Sequence, residues 1–138
     1  MATEFGLQIV SPAKSLASTK SMSLTIPGSQ GYMTILPDHT AMVSELGVGE
    51  MIVTDSQTKL KSSYFLSGGF VEVKGDDVIV MADIVEAASD INLAKAEDAR
   101  KSALVELEGK GGQSLELSSK ALKEADYRIR IAKAIASN

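Results

Sequence analysis

The chain has 138 residues, a length that suits one compact domain with an appendage and excludes a large two-lobed enzyme. It has no cysteine and a single histidine, which removes disulfides, thiolate nucleophiles and cysteine-based zinc sites, so a protein-only zinc or transition-metal site is not expected. The net charge of −4 is uneven: residues 1 to 89 hold five Lys/Arg against ten Asp/Glu, whereas residues 90 to 138 hold nine against eight. The excess turns positive from Lys120 onward, but neither half combines a strong basic patch with stacking aromatics, so a nucleic-acid partner is not expected.

Short strands with period-two alternation fill the first 86 or so residues. Phe5, Leu7 and Ile9 alternate before Ser11-Pro12, and Met22, Leu24 and Ile26 alternate before the turn chemistry of Pro27-Gly28. Further runs are Tyr32 to Leu36, Thr40 to Leu46, Glu50 to Thr54, a run in which Leu60, Tyr64 and Leu66 share one face, Phe70 to Val73, and Val78 to Met81. Gly47, Gly49, Asp55-Ser56 and Gly75-Asp76-Asp77 punctuate them. So many short strands predict an antiparallel β-sandwich or flattened barrel over residues 1–87.

The period changes near Asp83. From Ile91 onward Leu93, Ala96, Ala99 or Arg100, Ala103 and Leu107 recur at helical spacing, with Ser89, Asp90 or Asn92 available as N-cap. Gly109-Lys110-Gly111-Gly112 reads as a helix-stopping loop, and a second helix starts near Ser114 with Leu115, Leu122, Ala125, Ile129, Ala132 and Ala136 on one face. Residues 88–138 are therefore expected to form an antiparallel α-helical hairpin, which makes the fold class α+β. Alanine-rich faces bury little apolar area per residue, so this hairpin is expected to be weakly held.

No run approaches the roughly 20 apolar residues that span a bilayer, so direct membrane insertion is not expected. Gly68-Gly69 lacks the Lys-Ser/Thr that follows a phosphate-binding loop and reads as a bulge or close backbone contact. His39 has no nucleophile arranged beside it and reads as a loop-tying residue.

Three segments carry a resemblance. Ile26-Pro27-Gly28-Ser29-Gln30-Gly31-Tyr32-Met33-Thr34-Ile35-Leu36-Pro37-Asp38-His39 is similar to a P-G-S-x-G-x-x-x-I-L-P-G-H pattern. Ser67-Gly68-Gly69-Phe70-Val71-Glu72-Val73 matches an S-G-G-F-x-E-V strand, and Val78 to Asp83 leads through Glu86 and Asp90 into the first helix. In order and together these resemble the epsilon-subunit family of the rotary F-type ATP synthase.

The resemblance implies a non-catalytic rotor subunit of a proton-translocating complex, with no catalytic residue, no cofactor and no metal of its own. Its sandwich would contact the gamma stalk and the membrane c-ring through Gln30, Gly31, Tyr32, Pro37, Asp38 and His39. Asp38 stands where the family usually has glycine. Ser67, Gly68, Gly69, Phe70 and Glu72 form the sandwich motif. The hairpin would meet the alpha and beta catalytic subunits through Lys120, Lys123, Arg128, Arg130 and Lys133 and inhibit ATP hydrolysis. Some family members bind ATP through I/L-D-x-x-R-A; here Ile91-Asn92-Leu93-Ala94-Lys95-Ala96 replaces carboxylate by amide and guanidinium by ammonium. That change argues against ATP binding and leaves at most a weak site at Ile91, Asn92, Lys95 and Ala96. The absence of a presequence favours the cytoplasmic face of a bacterial inner membrane, with a thylakoid membrane as the alternative. The alternative function is a free-standing small-ligand-binding β-sandwich, which predicts an aromatic-lined pocket that three Tyr and three Phe scattered along the chain do little to supply. An enzyme would need a site that the sequence does not display.

Overall fold

The structure, a computed structural model, describes residues 3–13, 15–109 and 114–136. It divides into two compact units, one ending at Glu86 and one beginning at Ala87.

The first unit is built from alternating strands. In β1 (Phe5–Val10) Phe5, Leu7 and Ile9 are buried while Gln8 is exposed, as a strand with one face on the core requires. β2 (Ser15–Gly28), β3 (Gly31–Ile35), β4 (Met42–Asp55), β5 (Lys61–Lys74) and β6 (Asp77–Ala87) complete a six-stranded sheet in the order β1-β6-β5-β4-β2-β3. β1 pairs parallel with β6 and antiparallel with β2, so the sheet closes on itself as a flattened barrel. Closure leaves β3 as the strand with an open outer side. The interior holds Leu7, Ile9, Leu24, Ile26, Ile35, Met51, Leu66, Val71, Val78 and Val80, an aliphatic core in keeping with the sparse aromatics.

Runs that read as separate in the sequence are single long strands. β4 continues through Gly47 and Gly49, and β5 joins the run at Tyr64 to that at Phe70. The glycines do not end these strands; they turn both over together. The β4–β5 register is constant from Met42↔Val73 to Thr54↔Lys61, yet the buried position passes from Leu46 to Met51 on β4 and from Val71 to Leu66 on β5, a change of parity on each. Period-two side-chain alternation forbids that switch unless the backbone departs from ordinary extended values. Gly68 and Gly69 supply the departure, with φ of 76° and 115°. A Cβ on Gly69 would also stand 2.8 Å from Ala82 Cα and 3.0 Å from Met81 C, backbone atoms of the neighbouring β6.

Two other expectations change. Pro27 and Gly28 lie within β2, not in a turn, and the turn proper is Ser29-Gln30. Proline is accepted there because the β2–β4 register shifts between Thr25 and Gly28, where no ladder donor is needed. Leu60 is not buried with Leu66: it precedes β5 and is 69% exposed, at the hairpin end of the sheet where its carbonyl accepts from Asp55 N at 3.0 Å and the core no longer lies beneath it.

In the second unit a single 3₁₀ turn (Ala88–Asp90) precedes α1 (Leu93–Leu107) and α2 (Leu115–Ala136). The N-cap of α1 is Asn92, whose Oδ1 accepts from Lys95 N at 3.0 Å. Ala96 and Ala103 on α1 are buried, as are Ser118, Ala125 and Ala132 on α2, so each helix carries small residues seven apart that allow the two backbones to approach closely. Arg100 Nε donates to Asp126 Oδ1 at 2.8 Å and ties the middles of the two helices. Leu115, expected on the inner face, is 68% exposed, while Ile131, not expected there, is buried. Successive residues turn about 100°, which places Ile131 roughly 100° away from Ala132 and off the small-residue stripe. Of the expected loop Gly109-Lys110-Gly111-Gly112, Gly109 follows α1 with φ 80°, while residues 110–113 and the side chain of Ala136 lie outside the described residues.

Candidate functional site

The six residues expected to face partners lie at opposite ends of β3, a strand whose five residues span roughly 16 Å: Gln30 in the turn before it with Gly31 and Tyr32 as its first two residues, and Pro37, Asp38 and His39 beyond its other end. At one end Ser29-Gln30 links Gly28 to Gly31; Ser29 N donates to Glu45 O at 2.9 Å, and Gln30 and Gly31 are exposed. At the other, His39 N donates to Leu36 O at 3.2 Å across Pro37 and Asp38. Asp38 has φ 65°, the left-handed region where glycine is most at ease and Asp is among the best-tolerated substitutes. His39 Nδ1 lies 2.8 Å from Thr40 O, which makes it the donor in a local hydrogen bond that ties the loop. The structure therefore brings Gln30, Gly31 and Tyr32 together and Pro37, Asp38 and His39 together, as two clusters.

Tyr32 joins the first cluster to the sheet. Its ring is 53% exposed, while its hydroxyl accepts a 3.0 Å hydrogen bond from Glu50 N. That amide falls in the stretch where β2 and β4 lose register, so the phenol takes the place of a strand carbonyl. Gly49 makes this geometry available: a Cβ there would stand 2.9 Å from Pro27 Cβ and would strike the Tyr32 hydroxyl.

The Ser67–Glu72 motif is divided between the two faces of the sheet. Ser67 is buried, Gly68 and Gly69 perform the inversion of β5, and Phe70 emerges on the outer face at 49% exposure with Glu72 two residues on. A Cβ on Gly68 would lie 2.5 Å from Asp83 Oδ2, so the Asp83 carboxylate leans across that glycine. The positive φ of Gly68 and Gly69 and the close approach of β6 backbone to Gly69 show these glycines serving backbone packing.

In the second unit Lys120, Lys123, Arg130 and Lys133 are exposed within one arc of α2, while Arg128 lies roughly 160° around the helix from Arg130. The Arg130 guanidinium stacks 4.9 Å above the Tyr127 ring. Of the residues expected to form a weak ATP site, Asn92 caps α1 through its Oδ1, Lys95 is exposed and Ala96 is buried. Among the described residues no three His, Asp or Glu side chains are grouped to hold a metal ion, and no helix is long and apolar enough to cross a membrane.

Sequence reasoning missed the Asp55 turn. Asp55 Oδ1 accepts from Gln57 N at 2.8 Å and Thr58 N at 2.9 Å, and these backbone bonds, that from Thr58 foremost, hold its carboxyl below the usual carboxylate range. The signal was present as an acidic residue opening a polar tetrad, but Asp55-Ser56 was read only as punctuation. It also missed that Phe70 and Met81 face outward, because the parity of β5 cannot be followed through two consecutive glycines.

Comparison with known proteins finds relatives along the whole chain. The family model described as "ATP synthase, Delta/Epsilon chain, beta-sandwich domain" matches residues 4–88. An ATP synthase epsilon chain of Desulforamulus reducens is 35% identical over 133 residues, covering 96% of this chain and 99% of the relative. An ATP synthase epsilon chain of Myxococcus xanthus is 33% identical over 132 residues, covering 96% and 93%, and a sodium-ion-specific epsilon chain of Propionigenium modestum is 31% identical over 135 residues, covering 96% and 95%. Among solved structures, a chain in the cryo-EM structure of the Euglena gracilis mitochondrial ATP synthase (OSCP/F1/c-ring, rotational state 1) superposes with a TM-score of 0.81 at 19% identity, covering all of this chain and 84% of its own length.

Proposed function

The chain belongs to the epsilon-chain family of the ATP synthase, a family of non-catalytic subunits, and from that premise we propose that it is a central-stalk rotor component that links the ion-translocating membrane ring to the gamma shaft. The observation that carries this reading is the end-to-end match, through sandwich and hairpin alike, to bacterial epsilon chains. The sandwich grips gamma and the c-ring. A closed barrel with a continuous aliphatic core suits that task, because close-packed sheets transmit force with little deformation. Gln30, Gly31 and Tyr32 contact one of these partners, and the turn at Pro37, Asp38 and His39 contacts the other; their placement at opposite ends of β3 supports two contacts in place of one. Calorimetric titration of the full chain with its cognate gamma subunit tests the assignment: tight one-to-one binding is expected, and no binding refutes it.

The hairpin regulates. The arc of Lys120, Lys123, Arg130 and Lys133 meets acidic surfaces of the alpha and beta subunits and restrains ATP hydrolysis. The reconstituted complex should hydrolyse ATP faster after deletion of residues 90–138, and an unchanged rate removes this role. The hairpin holds no ATP at millimolar concentration, since Asn92 offers an amide already engaged as a cap and Lys95 lacks the bidentate guanidinium fork. The protein works as a peripheral subunit at the cytoplasmic face of a bacterial inner membrane, the setting suggested by its bacterial relatives. A free-standing ligand-binding sandwich is not supported: the groove of about 470 Å³ over Gly6, Gln8, Lys20 and Asp77 is open, and no buried polar side chain points into it.

A further inference from the structure

We propose that Tyr32 is a positioning residue: its hydroxyl, anchored on the Glu50 N–H of β4, holds the turn at Gln30 and Gly31 in the orientation that a partner recognises.

The first observation is a gap in the sheet beside that turn. The β2–β4 ladder is in register from Ser23↔Thr54 to Thr25↔Ile52 and resumes only at Gly28↔Leu46, so Ile26 and Pro27 on β2 stand opposite the longer stretch 47–51 on β4. Pro27 has no N–H to give, and the β4 groups in the gap need partners from elsewhere. Tyr32 lies opposite Pro27 on the edge strand β3, and its hydroxyl reaches back to accept from Glu50 N at 3.0 Å. One side chain thus links β3 to β4 past the strand that separates them. The phenol uses the space that Gly49 leaves, since a Cβ there would meet the Tyr32 hydroxyl and stand 3.1 Å from its Cζ.

The second observation is that the turn has little of its own to fix its direction. Gln30 and Gly31 are exposed, Gly31 has φ 131°, and nothing lies within 4 Å of its Cβ position. A glycine in open space is a joint that rotates at low cost. On its other side the turn is fastened by Ser29 N, which donates to Glu45 O at 2.9 Å. A single attachment lets a turn swing about it, whereas Glu45 and Glu50 hold this one at two separate points of β4. Both points are firm, because Glu45 pairs with Phe70 of β5 and Glu50 with the fully buried Phe65.

The ring of Tyr32 stays half-exposed beside Gln30 and Gly31 while its hydroxyl does the holding. A turn ordered in advance spares its partner the entropy of ordering it, and apparent affinity follows the fraction of chains already in the competent form. The net worth of one hydrogen bond at a half-open site corresponds to roughly twofold to tenfold in that equilibrium.

This inference rests on the reading that Gln30, Gly31 and Tyr32 contact gamma or the c-ring, and the test separates the two. The full chain is compared as wild type, as Tyr32→Phe, and as Gly49→Ala, which presses on the phenol from β4 and leaves Tyr32 in place. Each is titrated with the cognate gamma subunit, and the resulting pair is then titrated with detergent-solubilised c-ring. Thermal melts show that each variant is folded, and hydrogen exchange of the free chain follows the amides of Gln30 and Glu50. Tyr32→Phe should weaken one of the two binding steps by roughly twofold to tenfold, leave the other unchanged, and speed exchange at both amides. Gly49→Ala should weaken the same step. By linkage, the partner bound at that step should slow exchange at Glu50 more in wild type than in Tyr32→Phe. Wild-type affinity at both steps in a folded Tyr32→Phe variant overturns the positioning role and leaves the rotor assignment intact. Weaker binding with unchanged exchange at Gln30 means that the hydroxyl touches the partner itself, and also overturns it. Failure of wild type to bind gamma refutes the rotor assignment, a result read without any variant.

Discussion

Replacing Gly69 by alanine isolates what the inversion in β5 requires of the backbone. The new Cβ would meet Ala82 Cα at 2.8 Å and Met81 C at 3.0 Å, and would press on Met81 O. These are backbone atoms of a paired strand and cannot rotate away. Alanine at φ 115° costs on the order of 1–2 kcal/mol, and forcing two strands apart in a close-packed barrel adds roughly 1–3 kcal/mol. A total of about 2–5 kcal/mol is a large fraction of the roughly 5–15 kcal/mol typical of a folded domain. Gly75 supplies the control. It has φ 61°, but nothing lies within 4 Å of its Cβ position, so Gly75→Ala carries the dihedral cost alone, about 1 kcal/mol or less after the gain from a stiffer unfolded chain. Urea unfolding of both variants, followed by circular dichroism, should lower the Gly69→Ala midpoint by roughly 1–3 M against a few tenths of a molar for Gly75→Ala. If the two variants fall within about 1 kcal/mol of each other, the close-approach argument is wrong.

Further outcomes follow from the geometry. Ser118 Oγ is fully buried with no hydrogen-bond partner among the described residues, so Ser118→Ala should stabilise the hairpin by about 1 kcal/mol, read as slower amide hydrogen exchange in α1 and α2. Tyr32→Phe deletes the acceptor of Glu50 N–H; the site is half open to water, so the loss in denaturation experiments should be about 0.5–1 kcal/mol, and a larger loss would mean that water does not replace the phenol. Asp55 has its carboxyl lowered by backbone N–H donors in the folded state, so its contribution is fully present above the unfolded carboxyl's ordinary value and is lost as pH falls through the folded one; Asp55→Ala should flatten the acid limb of a stability profile measured by urea unfolding. Asn92→Ala should shorten α1 at its start and cost about 1 kcal/mol, seen as lost helical ellipticity and faster exchange at the first-turn amides.

The order of strand-rich and helix-rich segments, the change of period near Asp83 and the cap chemistry at Asn92 were all legible in the chain, because they depend on local alternation, helical spacing and the side chains of adjacent residues. The family motifs were legible as well, since they are contiguous. What could not be read is whatever depends on atoms distant in sequence. Gly47 and Gly49 look like punctuation until β5 is laid beside β4. They then fall inside one strand, Gly47 at the step between the pairs Leu46↔Gly69 and Val48↔Ser67 and Gly49 opposite Leu66, and only that pairing shows both strands turning over together.

The same limit applies to the candidate site. Gln30 and His39 are nine residues apart in a continuous motif, and the sequence groups them, whereas the extended backbone of β3 holds their turns at its two ends. Whether Phe70 faced the core or the solvent was undecidable from alternation, because two successive glycines at positive φ reset the parity. In the hairpin, periodicity identified Ala96, Ala103, Ala125 and Ala132, but burial of Ile131 and exposure of Leu115 were set by which surfaces the helices cover. Elements and family were readable from the chain because both follow from short-range chemistry. Facing was settled by tertiary structure, since the side on which a residue emerges is a property of strand pairing and helix packing among residues far apart in sequence.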